Sequence, residues 1–147
     1  MSASSEENVT QQLQALIDWY QRIAPDNLDE LARFYAEGAR FVDPFNDVRG
    51  IAAIGNIFRH MFIQVEAPRF VVNERFISGT NVVLGWHFLF RSGGREMSID
   101  GLSRLIFNAE GLVIEHRDYW DASSQLYVHL PIVGGIFRFL VRRLSAS

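Results

Sequence analysis

The sequence predicts an α+β domain in which three N-terminal helices pack on one face of a curved antiparallel sheet. Three observations carry that reading. Apolar residues recur at helical spacing up to about residue 65, and from Pro68 onward the period changes to two. Turn residues then divide the second half into four long strands. Helices and strands are therefore segregated along the chain rather than alternating, which favours α+β over a parallel α/β sheet.

Residues 6–24 form the first predicted helix. Val9, Leu13, Leu16, Ile17 and Tyr20 make its apolar stripe, and Glu6 and Glu7 lie near the positive end of its dipole. Pro25 ends it, and Asp26 or Asn27 caps a second helix with the stripe Leu28, Leu31, Phe34 and Tyr35, closed by Gly38. A short strand from Ala39 to Asp43 stops at Pro44. The loop that follows leads to Gly50, which opens the third helix. Gly79-Thr80, Ser92-Gly93-Gly94 and Asn108 to Gly111 are the turns between the four long strands.

The 147 residues suit one domain, here 6–128, followed by an amphipathic helical extension over 129–147. No apolar run reaches the roughly 18–20 residues of a membrane span, and the polar start is unlike a signal peptide, so a cytoplasmic protein is expected. The absence of cysteine removes thiol catalysis and thiolate metal sites, and the absence of lysine removes Schiff-base chemistry. A net charge of −3 without a basic cluster gives no nucleic-acid footprint. The extension carries Arg138, Arg142 and Arg143 beside Phe137, Phe139 and Leu140. It suits docking over the domain, a partner interface, or weak contact with an anionic membrane surface.

Alternation in the last strand puts Ile114, His116, Asp118 and Trp120 on one face and Glu115, Arg117 and Tyr119 on the other. His116 and Asp118 are thus neighbours that suit proton transfer, or a hydrogen bond between two half-buried groups. Arg49 is expected to pair with Asp47 or to bind an anionic ligand, Asp100 to face away from Ser103, and His60 and His87 to lie at the surface. No two histidines have metal-ligand spacing, so neither metal nor cofactor is expected.

The block V-D-P-F-x(4)-G-x(2)-A-I, Val42 to Ile54, and F-N-x-x-G-x-V, Phe107 to Val113, resemble the nuclear-transport-factor-2-like superfamily, whose cone-shaped, cystatin-like domain encloses one deep pocket. Ketosteroid isomerase, SnoaL-like cyclases and limonene epoxide hydrolase belong to it. The resemblance implies Asp43 as general base, since the isomerase base is an aspartate before proline in this block. Counting without gaps, the isomerase's oxyanion tyrosine and second aspartate fall on Trp19 and Ser103. It further implies His116 and Asp118 as proton-transfer groups, with Trp19, Trp86, Ser103 and Trp120 lining a pocket for a small apolar molecule. Relatives dimerise through the outer sheet face, which carries Val71, His87 and Leu89 here. The expected function is cofactor-free acid–base isomerisation or cyclisation of a steroid- or polyketide-like substrate. The alternatives are a non-catalytic binding module and a membrane-associated accessory protein.

Overall fold

A computed structural model of the chain describes residues 3–121. The predicted C-terminal extension lies outside them. Helix α1 runs Ala3–Gln21, a 3-10 segment Pro25–Arg33, and helix α2 Ile51–Gln64. The strands are β1 (Tyr35–Val42), β2 (Asp47–Arg49), β3 (Glu66–Ser78), β4 (Asn81–Ser92), β5 (Arg95–Phe107) and β6 (Val113–Tyr119). They form one sheet in the order β2-β1-β6-β5-β4-β3.

Strands β3 to β6 are antiparallel meander neighbours, as the turn residues require. Gly93 and Gly94 both take positive φ between β4 and β5, the conformation that a tight two-residue hairpin turn demands. Strand β1 enters differently. It pairs parallel with β6, making the sheet mixed, and a hairpin adds β2 at its far edge. The residues expected to form a loop before Gly50 thus include a short strand. That register sets Arg40 opposite Arg49 and diagonal to Asp47, and the ion-pair partner of Asp47 is Arg40, at 2.7 Å, rather than Arg49.

The second element is a 3-10 segment instead of an α-helix, and Gly38 lies inside β1 instead of ending a helix. Local hydrogen bonds account for the tighter winding. The indole N–H of Trp19 donates to the Asn27 carbonyl at 3.0 Å, and the Asn27 side chain bridges Ala24 N–H and the Arg22 carbonyl, each at 2.9 Å. These contacts draw the segment against the end of α1 and compete with a regular i to i+4 ladder. Leu28, Leu31 and Phe34 still bury one face, since a spacing of three serves a 3-10 turn as well.

The core lies between the helices and the inner sheet face. Val9, Leu13, Leu16 and Ile17 of α1 and Ile54, Ile57 and Phe58 of α2 meet Val82, Leu84, Ile99, Leu105 and Val113 of the sheet. This packing leaves room for a small group of polar side chains at its centre.

Candidate functional site

The site is built where α1, β1, β5 and β6 converge. Along β6 the pairing with β5 jumps from Glu115 to Val113, which leaves Ile114 as a bulge residue. Ile114 is therefore exposed and Val113 fully buried, although strict alternation assigned Ile114 to the inner face. Beyond the bulge the alternation is regular, so His116 and Asp118 both point inward. His116 lies opposite Leu105 and Asp118 opposite Ser103, while β1 brings Phe41 beside His116 on its other flank.

Six side chains, Tyr20, Tyr35, His116, Asp118, Ser103 and Trp86, connect into one hydrogen-bonded chain. His116 Nε2 is 2.6 Å from Asp118 Oδ1, and the Ser103 hydroxyl donates to the same oxygen. The Trp86 indole donates to Ser103 Oγ at 2.8 Å. On the other side of the imidazole, Tyr35 Oη is 2.6 Å from Nδ1, and Tyr20 Oη is hydrogen-bonded to Tyr35. His116 is only 3% exposed and stacks on the Tyr35 ring. Burial raises both tyrosine hydroxyls well above their ordinary pKa, with the Asp118 charge adding to the rise, so both are kept as O–H donors.

This chain borders a cavity of about 30 Å3 lined, among the described residues, by Tyr20, Phe58, Phe70, Val72, Leu84, Trp86, Ser103, His116 and Asp118. Its walls are mostly aromatic and aliphatic, and Asp118 supplies the carboxylate.

Of the residues singled out in the sequence, the structure brings together His116, Asp118, Ser103 and Trp86. Trp19 is fully buried away from the cavity, against Phe34 and Phe58, with its N–H on Asn27. The aromatic that α1 presents to the cavity is the next residue, Tyr20. Its place on the stripe with Val9, Leu13 and Ile17 was the signal, because that stripe faces the sheet. Tyr35 was legible in the same way, as the end of the second apolar stripe.

Asp43 lies off the cavity wall. Its Oδ1 accepts the backbone N–H groups of Phe45, at 2.8 Å, and Asn46, at 2.7 Å, and the Asn46 amide donates to both of its oxygens. Burial pushes its pKa up; these hydrogen bonds oppose the rise and the Asp118 charge adds to it. The Asn46 amide oxygen is buried without a hydrogen-bond partner. Trp120 meets Phe45 edge to face in the same region, outside the cavity lining. Asp100 is on the outer sheet face, paired with His87, whose other ring nitrogen lies 3.1 Å from Asn73 Nδ2. Among the described residues, no three His, Asp or Glu side chains gather as a metal ion would require.

Residues 16–116 match the SnoaL-like domain family, and the chain belongs to it. Solved structures of the same fold include a protein classed as a SnoaL-like polyketide cyclase from Jannaschia sp. CCS1, with 18% identity over 87% of this chain and 93% of that one, at a TM-score of 0.72. A protein of ketosteroid-isomerase-like fold from Catenulispora acidiphila DSM 44928, in complex with trimethylamine, shares 16% identity over 79% and 89% of the two chains, at 0.68. An LEH-like epoxide hydrolase from M. tuberculosis shares 14% over 92% and 97%, at 0.67. No curated protein matches the chain. At these identities the likeness shows the nuclear-transport-factor-2-like fold. No helix among the described residues is long and apolar enough to cross a membrane.

Proposed function

We propose that the protein is a small-molecule isomerase or cyclase working by cofactor-free acid–base chemistry, with Asp118 as the group that takes and returns the proton. The observation that carries this reading is the asymmetry of the Asp118 carboxylate. Oδ1 is held by His116 and Ser103, and Oδ2 has no hydrogen-bond partner among the described residues. A base needs one fixed oxygen for orientation and one free oxygen for the proton, at a site where water is scarce. His116 is the positioning residue, itself oriented by Tyr35 and Tyr20. Asp43 ties the neighbouring loop through its hydrogen bonds to Phe45 and Asn46. Trp86 and Ser103 set the far wall, and Trp19 and Trp120 support the site from behind and beside it. The family and the epoxide hydrolase and cyclase neighbours support a reaction on a small, largely apolar molecule.

Conversion of cyclohex-3-en-1-one to its conjugated isomer tests the reading, because that step needs one base to move a proton between carbons. The wild type should outpace buffer, Asp118→Asn should lose the acceleration, and Asp43→Asn should retain most of it. A wild type no faster than buffer, or an Asp118→Asn variant as fast as the wild type, overturns the assignment.

A second proposal concerns assembly. Phe76, Leu102 and Tyr119 are exposed large side chains on the outer face of β3, β5 and β6, beside half-buried Val71 and Leu89. Such a face suits a homodimer. Sedimentation should show a dimer that Leu102→Asp converts to a folded monomer, and a wild-type monomer at high concentration contradicts it.

A further inference from the structure

The hydrogens on the polar side of the cavity are already in use. With Nε2 of His116 protonated, Tyr20 O–H donates to Tyr35, Tyr35 O–H to His116 Nδ1, and His116 Nε2–H to Asp118. From the other end, Trp86 N–H donates to Ser103, and Ser103 O–H to Asp118. This order leaves no donor idle, and every step of it points toward the same carboxylate. What the cavity still offers is an acceptor, the second oxygen of Asp118. No arginine lines the cavity among the described residues, and the imidazole of His116 meets only the first oxygen of that carboxylate.

A ligand oxygen entering this space would find acceptors and no spare donor, and would lose the hydrogen bonds it had in water. An anion would face a carboxylate. A cation meets the opposite conditions, a partly desolvated carboxylate with aromatic rings around it. Rings attract cations through their quadrupole, and more strongly where water is excluded. The rings of Tyr20, Phe58, Phe70 and Trp86 come from α1, α2, β3 and β4, and they line the same cavity as the carboxylate from four separate elements.

We propose that the cavity takes the protonated amine of an otherwise apolar small molecule, with Asp118 as its counter-ion and the Tyr20, Phe58, Phe70 and Trp86 rings as its walls. The proposal rests on the same Asp118 site and names the head group that site receives. The small cavity volume, about 30 Å3, suits a compact ammonium head, with the apolar body lying toward Phe70 and Val72 on the edge strand β3.

Three probes sharing one apolar body separate the head groups: cyclohexylammonium, cyclohexanone and cyclohexanecarboxylate, each titrated calorimetrically into the full chain at neutral pH. The ammonium should bind tighter than either of the others by about tenfold, the scale of a desolvated cation–aromatic contact. Asp118→Asn should erase that preference while cyclohexanone binding stays. Phe70→Leu, which leaves the polar chain intact, should weaken the ammonium more than the ketone and serves if the Asp118 variant does not fold. Tighter binding of the ketone or carboxylate, or a preference that survives both variants, overturns the ammonium assignment and leaves the acid–base reading standing. Binding of none of the three overturns both.

Discussion

The sheet carries two histidine–aspartate pairs, one on each face. The inner pair, His116 and Asp118, lies along one strand with side chains 4% and 18% exposed. The outer pair, His87 and Asp100, spans two strands with side chains 41% and 68% exposed. Both are hydrogen-bonded, and each histidine has a further partner on its other ring nitrogen, tyrosine inside and Asn73 outside. The difference lies in what surrounds them. Solvent screens the outer pair and offers each member an alternative partner, so its geometry matters little to stability. Burial takes most water from the inner pair, and its further hydrogen bonds come from Tyr20, Tyr35 and Ser103. Residue type and pairing do not make a site; enclosure and a closed hydrogen-bond chain do.

The sharpest break in the comparison is functional. Asp118→Asn should reduce isomerisation of a β,γ-unsaturated ketone by about 10²–10⁴-fold, the usual contribution of a positioned acid or base. Asp100→Asn should leave the rate unchanged, and equal losses in steady-state assays would erase the distinction. Stability gives the next largest contrast. His116→Ala strands the Tyr35 and Asp118 partners in the interior and should cost about 3 kcal/mol or more in urea unfolding. His87→Ala should cost less than about 1 kcal/mol.

How far the sequence led to this arrangement depends on the kind of signal each residue left. The helical stripes and the four meander strands were legible because hydrophobic periodicity and turn glycines act locally. That His116 and Asp118 share a face was legible for the same reason, and the family resemblance pointed that face inward. The parallel entry of β1 was not, since it depends on contacts between segments more than 70 residues apart. Ile114 was misplaced because a bulge adds one residue without any local mark in the sequence. Gap-free counting from Asp43 reached Trp19, one residue short of Tyr20, the α1 aromatic that lines the cavity. One residue on a helix turns the side chain by about 100°, which moves it from the Asn27 carbonyl to the cavity. The loop around Asp43 was recognised as a loop, but its internal hydrogen bonds, which occupy both carboxylate oxygens, depend on the fold of the Asn46 side chain.

Neighbouring aromatics on α1 sharpen the contrast between support and site. Trp19→Phe removes the hydrogen bond to Asn27 and should lower stability by about 1 kcal/mol with ligand binding unchanged. Tyr20→Phe should alter ligand binding, read by the same calorimetric titrations; the opposite pattern would return Trp19 to the site.

The smallest effect concerns Asp43. Its folded pKa is raised by burial, so between the ordinary carboxylate value and the raised one the native state holds more protons than the unfolded state. The Asp43 contribution to stability therefore falls as pH rises through that window. Asparagine cannot titrate, and its amide can donate to the unpartnered Asn46 oxygen. Wild type should accordingly lose stability relative to Asp43→Asn as the pH climbs from about 4, the ordinary aspartate range. Paired urea titrations across pH check the slope, and a relative gain for the wild type would reverse the sign.

The most direct measurement is the tautomer of His116, read from long-range proton–nitrogen correlations of the histidine rings at neutral pH. Donation from both ends of the chain toward Asp118 requires a proton on Nε2 and a bare, accepting Nδ1. That pattern is the expected result. A proton on Nδ1 with a bare Nε2 would turn the imidazole away from Asp118 as a donor, free a tyrosine hydroxyl, and contradict the account.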